Sequence, residues 1–145
     1  MKSGEGPSRI TVSPCLLVAS IEDELEFLKA VFDVKVHEGE MNELTMWQME
    51  ARLGDTVLKI GRAHPSGPQS NNTLYVWTQD VDATYARAIQ AGAVLISEPT
   101  DRPWGVREAG FRGPHGDIWW IGRRTGRLSN REVAEKLNRQ RQSRM

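Results

Sequence analysis

The chain is predicted to be an α+β protein: two βαβββ modules forming curved mixed sheets around a cleft, with an extra C-terminal helix. Three observations predict this. A strand, cap and helix register occurs twice. Sliding the first half onto the second sets Ser13 on Thr73, Ile21 on Val81, Leu25 on Tyr85 and Val36 on Ile96, the mark of an internal repeat. The polar stretch 64–72, HPSGPQSNN, separates the halves and carries turn-forming proline and glycine. Finally, Ser129-Asn130-Arg131-Glu132 is a capping box that opens a last helix with Val133 and Leu137 on one side.

Each element has its own reason. Residues 10–18 are apolar and β-branched, so they read as a strand. Ser20 caps a helix with Asp23 in its first turn, and Ile21, Leu25, Leu28 and Phe32 form one apolar stripe. A strand follows at 34–37. Over 43–53 the residues alternate, with Trp47, Met49, Ala51 and Leu53 on one face and Gln48, Glu50 and Arg52 on the other, as in a half-buried strand. Gly54-Asp55 turns the chain, and 56–61 returns with Leu58 and Ile60 opposite Val57 and Lys59.

In the second half, 73–78 is a strand. Asp80 caps a helix in which Val81, Tyr85 and Ile89 share a face, and Gly92 ends it. Residues 93–97 form a strand, and 98–108, with Pro99, Pro103 and Gly105, read as an irregular loop. Short strands at 109–112 and 117–122 flank the hairpin turn Gly113-Pro114-His115-Gly116. The expected organisation is a flexible 1–9, a domain at 10–128 built from modules 10–62 and 73–122 with linker 63–72, and a helix with a basic tail at 129–145.

Composition narrows the function classes. The chain has 145 residues, 39% hydrophobic and 26% charged, a balance that suits one globular domain with a real core. No apolar run is long enough to span a bilayer, so no membrane role is expected. The start MKSGEGPSR has no apolar segment of a secretory signal. A single cysteine, Cys15, excludes a disulfide framework and suits a reducing, cytoplasmic compartment. The net charge of zero hides an asymmetry: from Arg123 onward there are eight Lys/Arg against two Asp/Glu, and before it eleven against seventeen. The basic tail lacks the interleaved aromatics of a nucleic-acid platform. It reads as a solvated helix facing an acidic body, with no nucleic-acid partner.

Several segments carry a family resemblance. Gly54-Asp55-Thr56-Val57-Leu58 looks like a family hairpin, and 81–88 followed by Ala91-Gly92-Ala93 looks like the second helix. Pro103-Trp104-Gly105-Val106-Arg107 and the run 112–121, RGPHGDIWWI, look like a loop and the last hairpin. In order and spacing these resemble the vicinal-oxygen-chelate superfamily of glyoxalases, bleomycin-resistance proteins and extradiol dioxygenases, and its PhnB-like branch. The resemblance implies a homodimer. It also places the metal-ligand positions of the family's enzymes at Ser13, Lys59, Thr73 and Trp120. Serine and threonine are poor ligands for a divalent metal, lysine is cationic, and the indole offers no lone pair. His37, His64 and His115 show no HxH or HExxH spacing. No metal and no cofactor are therefore expected.

Candidate site residues follow from strand parity. Gln48, Glu50 and Lys59 face the cleft from the first module. Thr73, Tyr75, Trp77 and Trp120 face it from the second, with Cys15, Leu17 and Ile118 beside them. Trp104 and Arg107 sit in the loop before the last hairpin, where a cleft can be capped. Aromatic walls with a few polar groups suit an aromatic or polar small molecule. Packing against the other half-sheet or a partner chain explains the rings equally well, and a plain ion pair explains Glu50 and Lys59. Cys15 reads as an inert buried thiol. The expected function is metal-free binding of a small molecule, as in the antibiotic-sequestering proteins of the family, with no catalysis. The alternative is a metal-dependent lyase, isomerase or dioxygenase with non-standard ligands.

Overall fold

A computed structural model of the chain describes residues 10–38, 48–63, 71–126 and 130–143. Trp47 with the rest of 43–47, His64 with the linker residues up to 70, and Ser129 lie outside the described residues. The first module contains β1 (Cys15–Val18), α1 (Ile21–Phe32), β2 (Lys35–Glu38), β3 (Gln48–Leu53) and β4 (Thr56–Arg62). The second contains β5 (Thr73–Trp77), α2 (Val81–Gln90), β6 (Val94–Arg102), β7 (Val106–Arg112) and β8 (Ile118–Arg124), and α3 (Asn130–Ser143) follows.

The modules match in topology. One sheet is ordered β1-β4-β3-β2 and the other β5-β8-β7-β6. In each, the strand before the helix pairs in parallel with the last strand of its module, and the other pairs are antiparallel. β1 and β5 are thus equivalent strands, as the repeat predicts.

Local chemistry sets the helix ends. The Ser20 side chain accepts a hydrogen bond from the Asp23 N–H at 3.2 Å, and Asp80 accepts one from the Ala83 N–H at 3.0 Å. Each satisfies a first-turn donor that has no partner inside its helix. α1 ends on Asp33 in the left-handed region, φ 54°, and Gly92 takes φ 97° just after α2.

The helix-facing sides of both sheets feed one core. Leu16, Val18, Leu58 and Ile60 enter it from the first sheet, Ala109, Phe111, Trp119 and Ile121 from the second. Rings cross between modules: Phe27 meets Phe111 edge-on at 6.2 Å, and Phe32 meets Trp119 at 5.2 Å. Arg87 of α2 donates to the carbonyl of Val31, near the end of α1, at 3.2 Å.

Three expectations are corrected. The first strand is Cys15–Val18 only, because Ile10 and Val12 are exposed and no strand partner reaches them among the described residues. α2 buries Val81, Thr84 and Ala88, while of the expected stripe Tyr85 packs against the core only in part and Ile89 is exposed. The supposed loop 98–108 is mostly strand. β6 runs on to Arg102 through two register shifts, and β7 begins at Val106. β6 is an edge strand, so Pro99 removes no ladder hydrogen bond that the sheet requires.

Candidate functional site

The second sheet carries most of the chemistry on the face turned away from the helices. Pairing sets Thr73, Tyr75 and Trp77 of β5 beside Ile118, Trp120 and Gly122 of β8, and these beside Arg112, Gly110 and Glu108 of β7. Two glycines make the face flat. The Trp120 ring lies over Gly110, where a Cβ would come within 2.9 Å of it. Tyr75 lies over Gly122, and a side chain there would collide with its hydroxyl. Tyr75 and Trp77 pack at 4.9 Å and remain 43% and 53% exposed, so broad ring surface stays open to solvent.

A polar ladder crosses the same face. The Tyr75 hydroxyl donates to Glu108 Oε2 at 2.9 Å. Arg102 Nε donates to Glu108 Oε1 at 3.2 Å, and another nitrogen of its guanidinium donates to the Ser97 hydroxyl at 3.1 Å. Burial, with the acceptor carboxylate of Glu108 next, pushes the Tyr75 phenol up to about 12, so it remains a donor at neutral pH. The Arg124 guanidinium carbon lies over the Trp77 ring, 4.5 Å from its centroid.

The expected residues separate into groups. Tyr75, Trp77 and Trp120 share this face, with Thr73 at its end. Gln48, Glu50 and Lys59 share a face of the first sheet, where Glu50 and Lys59 are direct cross-strand partners. Burial raises the Cys15 thiol there, against the pull of the Lys59 charge. Trp104 sits in the tight β6–β7 turn, with Arg102 6.0 Å from its ring centroid. Arg107 does not join the site. The extended β7 puts it on the opposite face of its strand, where it grips Asp82 of α2 through two 2.8 Å bonds and Asp101 at 3.2 Å. Sequence reasoning missed Ser97, Arg102, Glu108 and Arg124. Strand parity reaches Arg102, Glu108 and Arg124 only once β6, β7 and β8 are given their full lengths, and Ser97 only through the register shift after Leu95.

A groove of about 730 Å³ runs between the modules along β5. It is lined by Val12, Pro14 and the β3–β4 hairpin on one side and by Leu74, Val76 and Trp119 on the other, with Tyr75 and Trp77 at its rim.

Two of the four positions that the resemblance assigns to metal ligands carry no donor for a cation. Lys59 brings a positive charge, and Trp120 lies flat on Gly110 with no lone pair to offer. Among the described residues, no group of three or more His, Cys, Asp or Glu is arranged to hold a metal ion. The buried carboxylates Glu24 and Asp117 are engaged elsewhere, at the junction of the modules.

Comparison with known proteins agrees with the fold. The family model of the Glyoxalase/Bleomycin resistance protein/Dioxygenase superfamily matches residues 10–121, and the chain belongs to that superfamily. The solved structure of TnmS3, an antibiotic binding protein from Streptomyces sp. CB03234, is similar at 22% identity and TM-score 0.64, over 82% of this chain and 99% of that one. TioX from Micromonospora sp. ML1 is similar at 20% identity and TM-score 0.62, over 79% and 99%. These likenesses concern the fold. An uncharacterized protein of Mycobacterium bovis is 29% identical over 68 residues, 47% of this chain and 45% of that protein. The chain spans less than half the length of the curated relatives it matches. Among the described residues, no helix is long and apolar enough to cross a membrane.

Proposed function

We propose that this superfamily member is a metal-free, cytoplasmic, small-molecule-binding protein of the PhnB-like branch. It sequesters a planar aromatic compound, such as a polycyclic antibiotic, on the outer face of the second sheet. The observation that carries the reading is the flattened ring surface of Tyr75, Trp77 and Trp120 over Gly110 and Gly122. Such a surface is expensive to leave in water and stacks on a flat ligand at little entropic cost. The description of TnmS3 as an antibiotic binding protein supports the same class. In this reading the site works as a homodimer, in which a second copy covers the open face and completes the pocket. The groups at the family's metal positions support binding without a metal. The geometry of Tyr75, Glu108 and Arg102 supports holding a polar edge of the ligand and assigns none of them a chemical step.

The test is a panel of polycyclic and glycopeptide antibiotics read by tryptophan fluorescence, with sedimentation and elemental analysis of the same preparation. A polycyclic compound is expected to quench the wild type, and Trp120→Ala to weaken that binding about tenfold, or about 1.4 kcal/mol. A protein that stays folded and binds equally well without the Trp120 ring counts against the site. A stoichiometric metal in the dimer counts against the metal-free reading.

A further inference from the structure

We infer that the ligand of this face is an anionic planar aromatic, such as an aryl carboxylate or an ionised phenol, with its charge held by Arg124. The inference rests on the proposed binding face and goes further by specifying the charge of its occupant.

The argument is one of unpaired charge. By strand pairing, and among the described residues, the face carries Arg102, Arg112 and Arg124 against a single carboxylate, Glu108. Glu108 is already engaged, one oxygen accepting from Tyr75 and the other from Arg102. Arg124 makes no ion pair with a carboxylate among the described residues, yet its guanidinium has a seat over the Trp77 ring at 4.5 Å. A guanidinium seated over a ring this way can still turn N–H donors of its rim toward a ligand. Those donors match a carboxylate or phenolate in the plane of a ring lying alongside. The neighbouring phenol reinforces the choice. Tyr75 is committed as a donor to Glu108, so its hydroxyl hydrogen is not offered to an anion, and the charge falls to the guanidinium beside the rings. A cationic aromatic would meet an excess of two positive charges on the same face.

Two isosteric probes test this: anthracene-2-carboxylate and the neutral anthracene-2-carboxamide, titrated calorimetrically. The wild type is expected to prefer the carboxylate about tenfold, equivalent to about 1.4 kcal/mol. Arg124→Gln should remove that preference by weakening the carboxylate alone, and Arg124→Lys should retain part of it. Equal binding of both probes by the wild type, with both weakened in Trp120→Ala, overturns the anion inference and leaves the binding face standing. Binding of neither probe overturns both. Conversion of the dimer to monomer by Arg124→Gln, seen by sedimentation, assigns the guanidinium to a second copy and also overturns the inference.

Discussion

Gly110 and Gly122 decide what the second sheet can present. A Cβ at Gly110 would sit 2.9 Å from three ring atoms of Trp120 or nearly so, closer than carbon atoms approach. The stiff indole has no flexible end to bend away, so Gly110→Ala must tilt the whole ring off the backbone. The expected outcome is a folded protein that loses about 1–3 kcal/mol of stability to overpacking and that also loses ligand affinity. Chemical denaturation and fluorescence titration measure the two effects. Wild-type stability and affinity together would show that the ring does not rest on that glycine. The shared face of Tyr75 and Trp77 was legible in the sequence because residues two apart on a strand point the same way. The two glycines were not. A glycine's use here depends on which ring lies across it from a neighbouring strand, and only register reveals that. Glu108 was hidden for a related reason, since its role needs Tyr75 from another strand to reach it.

At the scale of elements, β6 and β7 show where pattern reading fails. Pro99, Pro103 and Gly105 punctuate the stretch as a loop would, yet an edge strand with register shifts tolerates proline because its outer N–H groups have no partner to lose. The helices were easier to place, because Ser20 and Asp80 declare their starts chemically. Misreading β7 as loop also misplaced Arg107. Counted from its pairing with Arg123, Arg107 faces α2 and clamps Asp82 in the first helical turn. Arg107→Ala should therefore leave ligand affinity within about twofold of wild type. It should act on Asp82 instead, whose carboxyl the Arg107 hydrogen bonds hold below the ordinary 3.8. An NMR titration is expected to show the Asp82 carboxyl moving back up toward that value. A ligand affinity that collapses while Asp82 titrates unchanged would return Arg107 to the binding face.

For the whole molecule, the two modules meet through a buried polar junction that the apolar pattern does not reveal. Glu24 of α1 and Asp117 after the β7–β8 turn are each 1% exposed. His115 Nδ1 lies 2.8 Å from Glu24 Oε2, the Asn72 N–H donates to Asp117 Oδ1 at 2.7 Å, and the Asn72 side chain donates to the Cys15 carbonyl at 3.3 Å. One carboxyl oxygen of each acid, Glu24 Oε1 and Asp117 Oδ2, has no partner among the described residues, so ionising either is penalised. Burial accordingly raises both carboxyls. His115 pulls both back, the Asn72 N–H pulls Asp117 back, and the Asp117 charge adds to the rise at Glu24. An acid with a raised folded pKa binds its proton more tightly in the folded state. Its contribution is complete below the ordinary values of 4.5 for Glu24 and 3.8 for Asp117. It is lost as pH rises from there through the raised folded values. Other carboxylates, Asp82 among them, slope the opposite way, so the informative quantity is the difference between wild type and variant. Glu24→Gln keeps the shape and removes the titration, and Asp117→Asn also keeps the acceptor for Asn72. In denaturant unfolding across a pH series, the wild type should lose stability relative to each variant as pH rises through that window. A relative gain on that rise would mean that Glu24 is buried as the anion of an ion pair with protonated His115, and that a charged pair rather than a retained proton closes the two modules.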